Sequence, residues 1–325
     1  MTRAIVISQL GGPEVLQLGE RDPGRPGPGQ IRVRQAAAGL NFIDVYFRTG
    51  LYKSAEMPFV PGKEGAGTVE EVGEGVSSVT VGDRVAYSGA NGTYADAILV
   101  EADKVAKLPA GVETEVAAGA MLKGMTAEYL LRRTFEVGPG TTILFHAAAG
   151  GVGLIAGQWA KHLGATVIGT AGSAEKCKLA LAHGYDHVIN YNEEDFVARV
   201  AEITDGRKCD VVYDSVGRDT YPKSLDCLRR RGLWVTFGQS SGKLPDVDLA
   251  ILNQKGSLFA TRPSLFGYTA TREEFEESAN ALFDVIASGA VKILIGQRYP
   301  LEKAADAQRD LEARRTTGTT IITMA

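Results

Sequence analysis

The chain has 325 residues, more than one hydrophobic core usually serves, so two domains are expected. Hydrophobic residues make up 44% and charged residues 23%, with a net charge of −4 and a pI near 5.7. That balance suits a globular enzyme and lacks the basic stripe of a nucleic-acid binder.

No apolar run approaches a membrane span, and the N-terminal segment is interrupted by Gly11-Gly12-Pro13 before it could serve as a signal sequence. The cysteines, Cys177, Cys209 and Cys227, are odd in number and widely spaced. They read as buried free thiols in a reducing cytoplasm rather than a disulfide framework.

In chain order, Pro23 to Gly29 is a Pro/Gly loop, and Gln30–Gln35 alternates polar and apolar residues as a strand does. Gly67–Val85 spaces its valines between glycine turns, the pattern of short strands in a compact, barrel-like β domain. Near residue 113 the pattern changes to apolar strands alternating with amphipathic helices. The strands are expected at Thr142–Ala147, Thr166–Ala171, His187–Asn190, Asp210–Ser215, Leu233–Gly238 and Ser257–Arg262. Val152, Ile155, Ala156, Trp159, Ala160 and Leu163 share one helical face, and Gly164 is a natural stop. Strands alternating with helices in this way predict a doubly wound parallel sheet. Arg229-Arg230-Arg231 reads as a solvated helix end. From Thr271 a helix runs through Phe275, Leu282 and Ile286, and the terminal Thr320-Ile-Ile-Thr is expected to return to the first domain.

The segment Ile143–Leu154 reads strand, glycine turn, helix. At such a turn a pyrophosphate meets free backbone N–H groups and the positive helix end, and glycine permits the close approach. The window Ala148–Gly153 departs from G-x-G-x-x-G by an alanine in first place. An NAD enzyme carries an acid at the end of the second strand to bond the ribose 2′-OH. This strand ends Gly169-Thr-Ala-Gly-Ser173 with no acid, and Glu175 falls in the first turn of the next helix, where an acid serves the helix dipole. Ser173 and Lys176 offer donors and a cation to a 2′-phosphate instead. NADPH is the expected cofactor.

The first domain has no cysteine and no histidine, and the chain has no Cys-x-x-Cys cluster. A Cys/His zinc site cannot be built there, so no metal is expected. No recognisable Cys–His pair points to a nucleophile. The chemistry must then come from the cofactor, as hydride delivery to an electrophilic acceptor such as a quinone or an enone.

Gly62-Lys63-Glu64-Gly65-Ala66-Gly67, Val72-Gly73 and Gly82-Asp83-Arg84-Val85 resemble the catalytic domain of medium-chain dehydrogenase/reductases, whose zinc-using members have His where Lys63 stands. Leu144, Ala148, Ala149, Gly150, Gly151, Gly153, Gln158 and Lys161 match the signature of the quinone oxidoreductase/zeta-crystallin group. Thr141 departs from it. Asn41-Phe-Ile-Asp44, Asp214-Ser-Val-Gly217 and Asn253-Gln-Lys-Gly-Ser257 are similar to bacterial NADPH:quinone reductases in particular. The resemblance covers essentially the whole chain.

It implies an α/β protein with a GroES-like β-barrel-type catalytic domain over 1–120 and 266–325 and an NADPH-binding Rossmann domain over 121–265, usually dimeric. The same resemblance places Gly151 and Val152 at the pyrophosphate. Gly172, Ser173, Lys176 and Tyr191 would surround the 2′-phosphate, with Ser215 and Val216 beside the adenine-side ribose. Gly238, Gln239, Ser240 and Ser241 would approach the nicotinamide half, with Phe42 and Tyr46, on the loop after Asn41, closing over the ring. Tyr129, Arg262, Pro263, Ser264, Leu265 and Arg314 would complete the cleft. Asn41, Tyr46 and Tyr52 are the candidates for orienting the acceptor oxygen, although core packing explains each tyrosine taken alone about as well.

The alternatives are an enone or alkenal reductase on the same fold, and a crystallin-like NADPH- or RNA-binding protein, against which the acidic pI counts. The edge strand Ser257–Arg262 is expected to pair with its symmetry mate in a homodimer.

Overall fold

The computed structural model describes residues 1–53 and 56–324. It divides into two compact units. One is Met1–Met125 with Thr269–Ala287 and Ile293–Ala325; the other is Thr126–Tyr268 with Ser288–Lys292.

The chain begins with β1 (Thr2–Val6), β2 (Gln17–Arg21) and β3 (Gln30–Gly39), then α1 (Phe42–Thr49). It continues with β4 (Glu64–Val72), β5 (Arg84–Ser88), β6 (Ala97–Glu101), β7 (Val105–Lys107) and α2 (Thr114–Glu128). The middle comprises β8 (Thr142–Phe145), α3 (Gly151–His162), β9 (Thr166–Ala171), α4 (Ala174–Leu181), β10 (His187–Asn190), α5 (Phe196–Ile203) and β11 (Cys209–Asp214). It goes on through α6 (Lys223–Asp226), β12 (Leu228–Thr236), α7 (Ala250–Gln254), β13 (Phe259–Thr261) and α8 (Leu265–Tyr268). The last stretch is α9 (Arg272–Ala287), β14 (Ile295–Pro300), α10 (Ala304–Glu312) and β15 (Thr319–Thr323).

In the first unit, β1 and β2 pair antiparallel, and a seven-stranded sheet runs β14-β15-β3-β4-β5-β7 with β6 also on β3. The long strand β3 is the frame. Its alternation buries Ile31 and Val33 on one face, where they pack with Val69, Val85, Tyr87 and Ile98. The C-terminal β15 lies against β3, with Ile322 opposite Ala38.

Phe42 and Tyr46 lie on a helix, α1, not on the loop expected of them. Asn41 stands in extended backbone as its N-cap, its N–H bonded to Asp44 Oδ2 at 2.9 Å, and Gly50 closes the helix with φ 80°.

The second unit is built on six parallel strands in the order β10-β9-β8-β11-β12-β13, the doubly wound arrangement. Leu144, Ile168, Val212 and Trp234 fill its core from adjacent strands. The basic run Arg229–Arg231 is not a helix end. It is the start of β12, where Arg229 Nε bonds Asp210 Oδ1 at 2.6 Å across the strand pair. Cys209 and Cys227 are buried free thiols, whereas Cys177 is only half-buried. Among the described residues no helix is long and apolar enough to cross a membrane.

Candidate functional site

The residues proposed to contact cofactor fall mainly in the second unit, at the C-terminal ends of its parallel strands. β8 ends at Phe145, and the chain turns through His146 and Ala147, whose φ of 56° is unusual for a side-chain-bearing residue. Gly150 then caps α3, so Gly151 and Val152 form its first turn and their region presents the N-terminal end of the helix. Gly153 is required by packing. A Cβ there would lie 2.5 Å from the Ala147 carbonyl oxygen, and the Gly153 carbonyl itself accepts from the Tyr185 hydroxyl at 2.8 Å.

At the end of β9 the structure brings Gly172, Ser173, Lys176 and Tyr191 together. A Cβ on Gly172 would meet the Tyr191 hydroxyl at 2.5 Å, so the ring lies directly against this turn. Ser173 caps α4 by accepting the Lys176 N–H at 3.3 Å, and Asn192 Nδ2 donates to the Gly172 carbonyl at 2.8 Å. Glu175 is held below the usual carboxylate range by its own backbone N–H and the Ser173 hydroxyl, as expected for a helix N-terminus.

The ends of β11 and β12 meet as a second cluster. Ser215 O accepts from Ser240 N at 3.1 Å; Val216 O accepts from Ser241 N at 3.0 Å and from Ser241 Oγ at 2.8 Å. Gly238 and Gln239 lie in the same turn, Gln239 buried. Arg262 Nη1 donates to Thr236 Oγ1 at 3.2 Å, followed by Pro263, Ser264 and the buried Leu265 that opens α8. Tyr129 is buried and stacked on Tyr268 at 4.6 Å between ring centres.

Sequence reasoning missed the group that ties these strand ends together. His146 is buried, with Nδ1 at 2.9 Å from Thr170 Oγ1 and Nε2 at 3.0 Å from Ser224 Oγ. Ser224 Oγ donates to Asp214 Oδ2 at 2.9 Å, and Asp214 Oδ1 accepts from the N–H groups of Val216 and Gly217 at 2.9 and 3.0 Å. Burial lowers the His146 pKa, against the pull of Asp214, and favours a neutral ring that bridges β8, β9 and α6. The signal was a lone histidine at the end of an apolar strand.

In the first unit the structure gathers Asn41, Phe42, Tyr46 and Tyr52. The rings of Phe42 and Tyr46 are 6.3 Å apart, those of Tyr46 and Tyr52 5.2 Å, and Tyr52 N donates to Tyr46 O at 3.0 Å. Asn41 Nδ2 donates to Glu64 Oε1 at 2.8 Å and more weakly to Gly39 O at 3.4 Å. Asp44 is fully buried and also accepts from the Tyr94 hydroxyl at 2.9 Å, and burial pushes its carboxyl up to about 7. Lys63 bonds Asn91 Oδ1 and lies over the Phe47 ring at 4.5 Å; burial lowers its pKa. Glu64 also holds the Lys123 ammonium, a partner sequence reasoning did not find. Arg314 follows α10 with φ 58°, its N–H bonded to the Leu311 carbonyl at 3.0 Å.

The arrangement fits a phosphorylated dinucleotide: a glycine turn at a helix N-terminus, then a second strand that ends without an acid beside a serine, a lysine and a tyrosine. Among the described residues there is no group of three or more His, Cys, Asp or Glu placed to hold a metal ion.

Comparison with known proteins agrees with this geometry. A family model for the alcohol dehydrogenase GroES-like domain matches residues 27–110, and one described as zinc-binding dehydrogenase matches residues 151–284. Quinone oxidoreductase 1 of Escherichia coli is 53% identical over 325 residues, with 99% of each chain covered. The crystal structure of the Escherichia coli quinone oxidoreductase complexed with NADPH superposes with a TM-score of 0.97 at 53% identity, over 99% of this chain and 100% of that one. A 2-haloacrylate reductase from a Burkholderia species is 44% identical over 329 residues, again over 99% of each. With identity at this level along its whole length and both domain models matched, the chain belongs to the quinone oxidoreductase family of the medium-chain dehydrogenase/reductase superfamily.

Proposed function

We propose that this chain is an NADPH-dependent quinone reductase that works without a metal ion. The observation that carries the reading is the turn after β9, where Gly172, Ser173, Lys176 and Tyr191 converge and the strand itself ends without an acid. Bound NADPH would supply the hydride. Gly151 and Val152 would hold its pyrophosphate at the start of α3, and Ser215, Val216 and the Gly238–Ser241 turn would line the path toward the nicotinamide. Tyr129, Arg262, Pro263, Ser264, Leu265 and Arg314 are assigned to the remaining wall.

On the acceptor side, Phe42 and Tyr46 from α1 would cover the ring, and Asn41, Tyr46 and Tyr52 would orient the acceptor oxygen. The second Asn41 N–H, at 3.4 Å from Gly39 O, is weakly held and open to capture by a substrate oxygen. Water can protonate the quinol oxygen, so no dedicated acid is required.

The free thiols and the lack of an apolar spanning helix among the described residues support a cytoplasmic protein. The solvent-facing edge of β13 supports a homodimer.

A second reading, reduction of an enone or acrylate, is favoured by the similarity to 2-haloacrylate reductase. NADPH oxidation measured against a panel of benzoquinones, naphthoquinones and enones separates the two. The quinone reading expects quinones to exceed enones at least tenfold in kcat/KM; the reverse order would replace it with the second reading.

A further inference from the structure

The first unit buries an ion pair that the proposed chemistry has not yet used. Glu64 is fully buried, and Lys123 on α2 is 5% exposed. The Lys123 ammonium bonds Glu64 Oε1, the same oxygen that accepts from Asn41 Nδ2 at 2.8 Å; Glu64 Oε2 accepts from the Leu122 N–H at 2.6 Å. The carboxylate therefore accepts three hydrogen bonds, and ammonium and amide converge on one oxygen atom.

Lys123 is not saturated. An ammonium has three N–H donors, and among the described residues Glu64 is its one hydrogen-bond acceptor. Enclosing such a cation with donors to spare is poor value as a stability device, because an apolar pair of similar volume is often as stable or more so. It is well suited to another purpose. A preorganised donor in a water-poor site stabilises negative charge as it develops, with no reorganisation at the moment of reaction.

We propose that Lys123 is a further catalytic residue, whose ammonium donates a hydrogen bond to the oxygen of the acceptor, and that Glu64 positions both Lys123 and the Asn41 amide. The proposal rests on the reading that Asn41 faces the acceptor. The quinone gains two electrons and one hydrogen as hydride, its conjugated oxygen becomes an oxyanion, and a proton from water completes the quinol. Lys123 stabilises the oxyanion and keeps its own protons throughout. The acceptor must therefore build charge on oxygen, as quinones and enones do.

The test begins without cofactor, using 4-nitrophenol as a probe of the acceptor site. The wild type is expected to bind it as the yellow phenolate and to lower its apparent pKa by about one unit or more, a tenfold preference for the charged form. Lys123→Met should abolish that shift and Lys123→Arg should keep it. Removing one such donor lowers kcat by roughly 100- to 1000-fold, so Lys123→Met should slow quinone reduction on that scale, with NADPH affinity within twofold of wild type.

Because Lys123→Met leaves Glu64 buried and unpaired, the double variant Glu64→Gln/Lys123→Met checks the fold by circular dichroism. It should fold and remain as slow. A double variant running at the wild-type rate, or a wild type that leaves the probe unbound or its pKa unmoved, overturns the proposal. If Asn41→Ala is slow but both Lys123 variants are fast, the proposal falls and the acceptor-side reading stands. If Asn41→Ala and Lys123→Met are both fast, the two fall together.

Discussion

In the proposed reading, Lys176 is the residue on which cofactor choice turns. It sits in the first helical turn after Gly172-Ser173, and the Tyr191 ring lies against Gly172, where a 2′-phosphate would need a cation. A hydrogen bond to a charged group contributes roughly 1.5–3 kcal/mol, and about 1.4 kcal/mol is tenfold in affinity. Lys176→Ala should weaken NADPH binding by about 10- to 100-fold and leave NADH nearly unchanged, as fluorescence titration with each cofactor would show. Equal losses would remove Lys176 from the 2′-phosphate.

Asp44 carries a prediction of the opposite kind, about stability. Its carboxyl is pushed up to about 7 by burial, against the Asn41 N–H, Tyr94 and Lys123, and Glu64 adds to the rise. Lys63 also feels its charge. A carboxyl whose folded pKa is raised stabilises the fold most when protonated, and that contribution is lost as pH rises through about 7. Asp44→Asn cannot ionise. Its melting temperature should match wild type near pH 4 and gain on it by roughly 5 °C by pH 8. A constant difference across that range would show that Asp44 does not titrate there.

At the scale of elements, sequence patterning located β9 and β10 to the residue, because each is a short strand-forming run bounded by turn residues. It failed at α1, where the β-branched and aromatic residues of Phe42-Ile-Asp-Val-Tyr-Phe argue against a helix. The helix forms because Asn41 and Asp44 cap one end, Gly50 closes the other, and Val45 and Tyr46 are buried. The same distinction applies to the site. The glycine turn before α3 and the residues around Gly172 were legible because they are close in sequence. Lys123 and Glu64 are separated by 59 residues, and His146 and Ser224 by 78, so only the fold reveals those pairs.

Strand β13 is shorter than the alternation suggested, Phe259–Thr261 rather than Ser257–Arg262, yet it remains the edge of the parallel sheet. Phe259 is 61% exposed there, an apolar side chain on an open edge. If two chains extend one sheet across that edge, light scattering should give a dimer at micromolar concentration, and Phe259→Lys should give a monomer that still binds NADPH. A variant as dimeric as wild type would place the interface elsewhere.

At the scale of the whole molecule, the chain joins a β unit with no histidine or cysteine to a nucleotide-binding unit that holds all of both. That division is what makes a metal-free reductase the consistent reading. Zinc catalysis needs borderline or soft ligands around an open position, and here the residue standing where zinc-using relatives have His is Lys63, over the Phe47 ring. Electrophilicity must come from the acceptor, and the reducing electrons from the cofactor. The measurement that tests this account most directly is steady-state NADPH oxidation with 1,4-benzoquinone before and after exhaustive dialysis against a strong chelator, with zinc quantified by elemental analysis. The account predicts an unchanged kcat/KM with NADPH and less than about 0.1 zinc per chain. Stoichiometric zinc whose removal abolishes the rate, or the absence of quinone-dependent NADPH oxidation, would contradict it.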